Sequence, residues 1–174
     1  MQDNDDIQRG TENVSQAARI LIVDDDANIR RVVSIVLGRA GYQIDTASTG
    51  EEAIAKSNVE SYNMALVDIR LPDIQGTKLL SLLRDPTPRM LKVIMTGYPL
   101  LENAMEAITR GVDAYLTKPV KAETLLATVQ ELFRKQQAEK EFTEEQLKAY
   151  MASRFKEAKA NRRETFEGTL VTRS

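Results

Sequence analysis

Met64-Ala65-Leu66-Val67-Asp68-Ile69-Arg70-Leu71-Pro72 is the stretch on which the reading of the chain turns. An apolar run leads to one carboxylate, and a proline follows. The run is too short for a globular helix and is bounded by turn residues, so it predicts a buried parallel strand. Asp68 then stands at the carboxyl end of that strand, where open α/β sheets bind their ligands. An Asp at a strand end commonly serves only as a turn former or a helix cap. What gives Asp68 weight is that three other strand ends carry the groups a reactive carboxylate would need.

Upstream, Arg19-Ile20-Leu21-Ile22-Val23 is a dense β-branched run that predicts a buried strand, and it ends in Asp24-Asp25-Asp26. Ile29, Val32, Val33, Val36 and Leu37 then follow helical spacing, with Gly41 placed to cap the C-terminus. Tyr42 to Ala47 alternates as a strand does. Thr49-Gly50-Glu51-Glu52 is a capping box that opens a short helix through Lys56.

Downstream, Pro72 and Gly76 belong to a loop. Leu79, Leu80, Leu82 and Leu83 predict a helix ended by Pro86 and Pro88. Leu91-Lys92-Val93-Ile94-Met95 is a fourth strand, and Thr96-Gly97 follows it. Leu101, Ala104, Met105 and Ile108 predict a fourth helix closed by Gly111. Ala114-Tyr115-Leu116 is a short fifth strand that ends at Thr117-Lys118-Pro119. Leu125, Leu126, Val129, Leu132 and Phe133 mark a fifth helix. Five strands alternating with five helices predict an α/β domain, a parallel sheet covered on both faces.

Three segments are therefore expected: a polar lead-in at 1–17, the α/β domain at 18–134, and a charged helical extension at 135–174. In the extension, Thr143-Glu144-Glu145-Gln146 reads as a second capping box. Leu147, Tyr150, Met151, Phe155 and Ala158 keep helical spacing, and Gly168 could stop the helix.

Composition narrows the chemistry. The 174 residues contain no cysteine and no histidine. Thiol chemistry, disulfides, His-ligated zinc, His-dependent triads and a phosphohistidine acceptor are all excluded within this chain. A net charge of −2 gives no global attraction to nucleic acid or anionic membrane. No apolar stretch approaches membrane-spanning length, and the acidic start is unlike a signal peptide. The expectation is a soluble, cytoplasmic protein with no membrane insertion.

In such a sheet the carboxyl ends of strands 1, 3, 4 and 5 share one edge. They carry Asp24 and Asp25, Asp68, Thr96, and Lys118. Carboxylates packed together repel unless a hard cation sits among them, and Mg²⁺ suits oxygen ligands. One carboxylate can then act as nucleophile toward a phosphoryl group, with Lys118 and the Thr96 hydroxyl helping to neutralise and orient it. Gly97 would leave room for the incoming group. Each residue also has a plain structural reading, such as a charge cluster at a helix start, a cap, or a solvated lysine.

The chain resembles the receiver domain of two-component response regulators, of the chemotaxis-regulator and nitrogen-regulator kind. The resemblance rests on Ile22-Val23-Asp24-Asp25-Asp26, Leu66 to Gly76, Ile94-Met95-Thr96-Gly97-Tyr98, and Gly111 to Pro119. It implies a flavodoxin-like, doubly wound sheet of order 2-1-3-4-5. It also implies that Asp68 accepts phosphate from a phosphohistidine on a sensor histidine kinase. Asp24, Asp25, Asp68 and the backbone carbonyl of Arg70 would hold Mg²⁺. Lys118 would pair with the phosphoryl oxygens, its bond to Pro119 being cis. Thr96 and Tyr115 would form a switch pair, acting on the face made by the fourth helix, fifth strand and fifth helix. Arg70 and Tyr98 would flank the pocket. Leu71 stands where many relatives have Met.

The resemblance stops before 135–174. The reading is a phospho-accepting switch, not an enzyme, whose output is contact with another protein or with a second copy of itself. Nucleic acid is not the expected partner. Two alternatives are a dimeric regulator that binds DNA through the short C-terminal segment, and a phosphorelay intermediate that passes phosphate on to a histidine.

Overall fold

The structure is a computed structural model, and it describes residues 18–97, Thr109 and 111–170. The expected lead-in at 1–17, Tyr98 and the apolar positions of the fourth expected helix lie outside the described residues. The chain divides into two compact units, Met1–Gln130 and Glu131–Ser174.

The first unit contains β1 (Arg19–Val23), α1 (Ala27–Arg39), β2 (Gln43–Ala47), α2 (Gly50–Val59), β3 (Met64–Asp68), α3 (Gly76–Leu79), β4 (Leu91–Thr96) and β5 (Ala114–Thr117). The next described helix, α4, runs Ala122–Leu170. The strands form one parallel sheet of order β2-β1-β3-β4-β5. The central strands are buried on both faces, and for that reason their sequences are continuous apolar runs. Every residue of β3 is buried, whereas the edge strands β2 and β5 are only partly so.

Strand alternation sorts the core. Leu21 and Val23 of β1, Ala65 and Val67 of β3, and Ile94 of β4 join Ala53 of α2 and Leu79 of α3 in one cluster. Val33 and Leu37 of α1 and Leu125 and Val129 of α4 are buried outside that cluster, on the other face.

Some expectations are corrected. Val32 is 58% exposed, so the buried stripe of α1 is narrower than its apolar spacing implied. The leucine-rich helix is only four residues long. Beyond Leu79 the bonding tightens, with the Ser81 amide donating to Lys78 O and the Leu82 amide to Leu79 O. Leu79, Leu80 and Leu83 are buried while Leu82 is exposed. Thr143 does not start a helix. α4 passes through it without a break, and the Thr143 hydroxyl donates to the Glu139 carbonyl four residues back at 2.9 Å. Gly168 lies inside α4 and does not end it.

Candidate phospho-acceptor site

The acidic triplet after β1 splits into three roles. Asp26 caps α1, its carboxylate accepting from the amides of Asn28 at 2.8 Å and Ile29 at 3.3 Å. Asp24 turns inward and is fully buried, while Asp25 is exposed. The Asp26 amide donates to Asp24 Oδ1 at 3.0 Å, so the cap and the site share one turn. Arg30, from the first turn of α1, reaches back and donates to the carbonyls of Asp24 at 2.6 Å and Asp25 at 3.0 Å. Sequence reasoning missed Arg30. The only available signal was a cation six residues after Asp24, on the helix that the triplet opens.

Asp68 ends β3 and is buried. The Arg70 amide donates to its Oδ1 at 3.2 Å. Lys118 follows β5 with a cis bond to Pro119, as expected, and its amide donates to Thr96 O at 2.8 Å. This backbone bond holds the lysine beside the end of β4. Its Nζ lies 2.6 Å from Asp68 Oδ2 and 2.6 Å from Asp24 Oδ2. One ammonium thus bridges two carboxylates whose positions are 44 residues apart in the chain. Oxygens of Asp24, Asp25 and Asp68 all lie within 4.8 Å of one another.

The electrostatics follow from burial. Burial pushes the Asp24 carboxyl above its usual range, against the pull of Lys118 and the Asp26 amide, and the Asp68 charge adds to the rise. Burial opposes the charge on Lys118, but the bonds to Asp24 and Asp68 outweigh it and hold its pKa above the ordinary lysine value. Three carboxylates against one ammonium leave an excess of negative charge. Among the described residues, buried Asp24 Oδ2 is met by the charge of Lys118 without a well-directed hydrogen bond. A hard cation suits such a donor set and would draw it together, since oxygen ligands about 2.1 Å from one ion stand up to about 4.2 Å apart.

Thr96 is fully buried at the end of β4, in register with Thr117. Tyr115 pairs with Ile94 and packs on the core cluster under α2 and α3. Its hydroxyl is buried without a hydrogen-bond partner among the described residues, and burial followed by the Asp68 charge raises its pKa. A Cβ built on Gly97 would meet nothing within 4 Å among the described residues. Of the expected residues, Asp24, Asp25, Asp68 and Lys118 come together directly. Arg70 joins through its amide, and Thr96 through its carbonyl bond to the Lys118 amide.

Comparison with known proteins fits this arrangement. Residues 20–130 match the family model described as response regulator receiver domain. The chain belongs to the response regulator receiver family. It is 31% identical over 120 residues to a probable transcriptional regulatory protein, TcrX, of Mycobacterium tuberculosis, covering 69% of this chain and 51% of TcrX. The chain thus spans about half the length of that relative. A CheY-like receiver domain protein from Methanospirillum hungatei is 41% identical, with a TM-score of 0.67, covering 71% of this chain and 98% of that one. The response regulator TrrA of Thermotoga maritima, solved in complex with Mg²⁺ and BeF, is 31% identical. Its TM-score is 0.59, covering 66% of this chain and 98% of that one. Among the described residues, no helix is long and apolar enough to cross a membrane.

Proposed function

We propose that this receiver accepts a phosphoryl group on Asp68 from a phosphohistidine of a sensor histidine kinase, with Mg²⁺ as cofactor. One observation carries the reading: Lys118 Nζ stands 2.6 Å from both Asp24 and Asp68 inside a cluster of three carboxylates. In the transfer, an Asp68 oxygen forms the P–O bond, the P–N bond to histidine breaks, and the histidine nitrogen takes up a proton. Asp24, Asp25, Asp68 and the Arg70 carbonyl would hold Mg²⁺, which supplies positive charge to the phosphoryl oxygens when bound. Lys118 neutralises the same oxygens from the protein side, and its ion pair with Asp24 keeps it aimed while Asp68 reacts. The buried Thr96 hydroxyl turns to the phosphoryl group. The Tyr115 hydroxyl, buried without a partner among the described residues, follows it as the second half of the switch.

The output is contact with another protein or with a second copy of the chain. α4 exposes Phe142, Leu147, Tyr150 and Met151, residues a solvated helix does not need. TcrX is described as a probable transcriptional regulatory protein, and residues 131–174 of this chain lie beyond the receiver match. A salt-dependent gel shift by the phosphorylated chain would favour the DNA reading instead.

The reading is tested by intact-protein mass after incubation with a small-molecule phosphodonor and Mg²⁺. The wild type gains the mass of one phosphoryl group and Asp68→Asn gains none. An unchanged gain in Asp68→Asn would refute the assignment.

A further inference from the structure

The first four amides of a helix have no partner within it and must be satisfied from outside. In α2 the Ala53 amide makes the first helical bond, to Thr49 O at 3.1 Å, and the Glu52 amide ahead of it donates to Thr49 Oγ1 at 3.1 Å. The Gly50 and Glu51 amides are satisfied from far along the chain. The Gly50 amide donates to Asp73 Oδ1 at 2.9 Å and the Glu51 amide to Asp73 Oδ2 at 2.8 Å. A carboxylate more than twenty residues downstream thus completes the cap, and it sits where the helix dipole favours negative charge. The Gly50 amide bond is the main reason the Asp73 carboxyl is held below its usual range.

Asp73 lies at the tip of the loop that leaves Asp68. The stem of that loop is closed twice, by the Gly76 amide donating to Ile69 O at 2.8 Å and by the bridge between Arg70 and Gln75. The closure is tight, since a Cβ on Gly76 would stand 2.0 Å from Asp68 O. The tip is seated on α2, where a Cβ on Gly50 would meet Ile74 Cγ2 at 2.2 Å. Arg70 therefore stands between a stem fastened to Asp68 and a tip fastened to α2. If the cap served the helix alone, a local side chain would suffice, as Thr49 does for the next amide.

We propose that Asp73 is a positioning residue for the cation side of the site: by capping α2 it fixes the loop that carries Arg70 beside Asp68. The proposal rests on the Mg²⁺ reading above. Asp73 acts on Mg²⁺ affinity through the loop backbone and touches neither ion nor phosphoryl group.

The test is a Mg²⁺ titration of the full chain without phosphodonor, followed by the amide NMR shifts of Asp25, Asp68 and Arg70. Asp73→Ala should raise the half-saturating Mg²⁺ concentration by about tenfold, in line with the effect of removing groups that orient metal ligands. Asp73→Asn keeps one acceptor and should raise it less. Thr49→Ala uncaps the same helix from within and should leave it unchanged, although both uncapped variants lose stability. Equal affinities in wild type and Asp73→Ala, or an equal loss in Thr49→Ala, would overturn the proposal. Absence of saturable shifts at Asp68 in the wild type would overturn the Mg²⁺ reading itself, and this one with it.

Discussion

Asp24, Asp25 and Asp26 show how far identical neighbours diverge. One is a buried member of the site, one an exposed member, and one a helix cap. The triplet marked the place in the sequence, but which carboxylate turns inward depends on the path of the turn, and the sequence does not state it. Asp24 also carries a cost. Its carboxyl pKa lies above 3.8, chiefly through burial, so the folded chain holds that proton more tightly than the unfolded one. Its contribution favours folding below 3.8 and is lost as pH rises through the raised pKa, leaving a buried charge that opposes folding at neutral pH. Asp24→Asn should therefore be more stable than wild type at neutral pH without Mg²⁺, by on the order of 1 kcal/mol, or about 4 °C in Tm. Lys118 keeps Asp68 as partner in that variant. Mg²⁺ should raise the Tm of wild type and leave Asp24→Asn nearly unmoved. Thermal melts with and without Mg²⁺ check both points, and a lower Tm for the variant in the absence of Mg²⁺ would contradict this account of Asp24.

The elements were legible where apolar periodicity is strong. β1 and β3 appear at their expected positions because buried central strands leave no room for polar residues. Two capping-box patterns had opposite outcomes. At Thr49 the pattern opens α2, and Glu52 reaches back to the Ser48 amide at 2.7 Å. At Thr143 the same spacing lies within α4, where a threonine hydroxyl can bond backward to a carbonyl and the backbone continues. Nothing in the four residues separates the cases. The difference is that α2 begins after a strand end, while 143 follows more than five turns of helix laced by pairs such as Arg134 with Glu131 and Lys140 with Glu144. Glu52 allows a test of the true box. Its bond to Lys56, then to the Ser48 amide, lowers its pKa from 4.5 to about 2. Its contribution is present above 4.5 and is lost as pH falls toward about 2. Because the Glu52 side chain is 40% exposed, solvent screening limits the effect, and Glu52→Gln should cost about 0.5 kcal/mol at neutral pH. The gap between variant and wild type in urea unfolding should close across that acid range. A gap that persists to the acid end would mean the Glu52 charge contributes nothing.

At the scale of the molecule, the sheet order brings Asp24, Asp68 and Lys118 to one edge from three separate parts of the chain. That convergence was readable because parallel strands put their carboxyl ends together. The bracing by Arg30 and the cap by Asp73 were not readable, since each depends on where a loop or helix start comes to rest. The extension has a separate role in this account. Removing residues 142–174 should leave Asp68 phosphorylation at the wild-type rate and weaken self-association or partner capture, as measured by sedimentation with and without a phosphoryl mimic. Unchanged association in the truncated chain would mark the segment as a passive tail. The central claim concerns Asp68, and the most direct measurement is to locate the acyl phosphate itself. Borohydride reduces an aspartyl phosphate to homoserine, so peptide mass mapping of the treated chain reports the modified position. The account predicts homoserine at position 68 alone, formed only when phosphodonor and Mg²⁺ are both present. Homoserine at position 24 or 25, or none at 68, would contradict it.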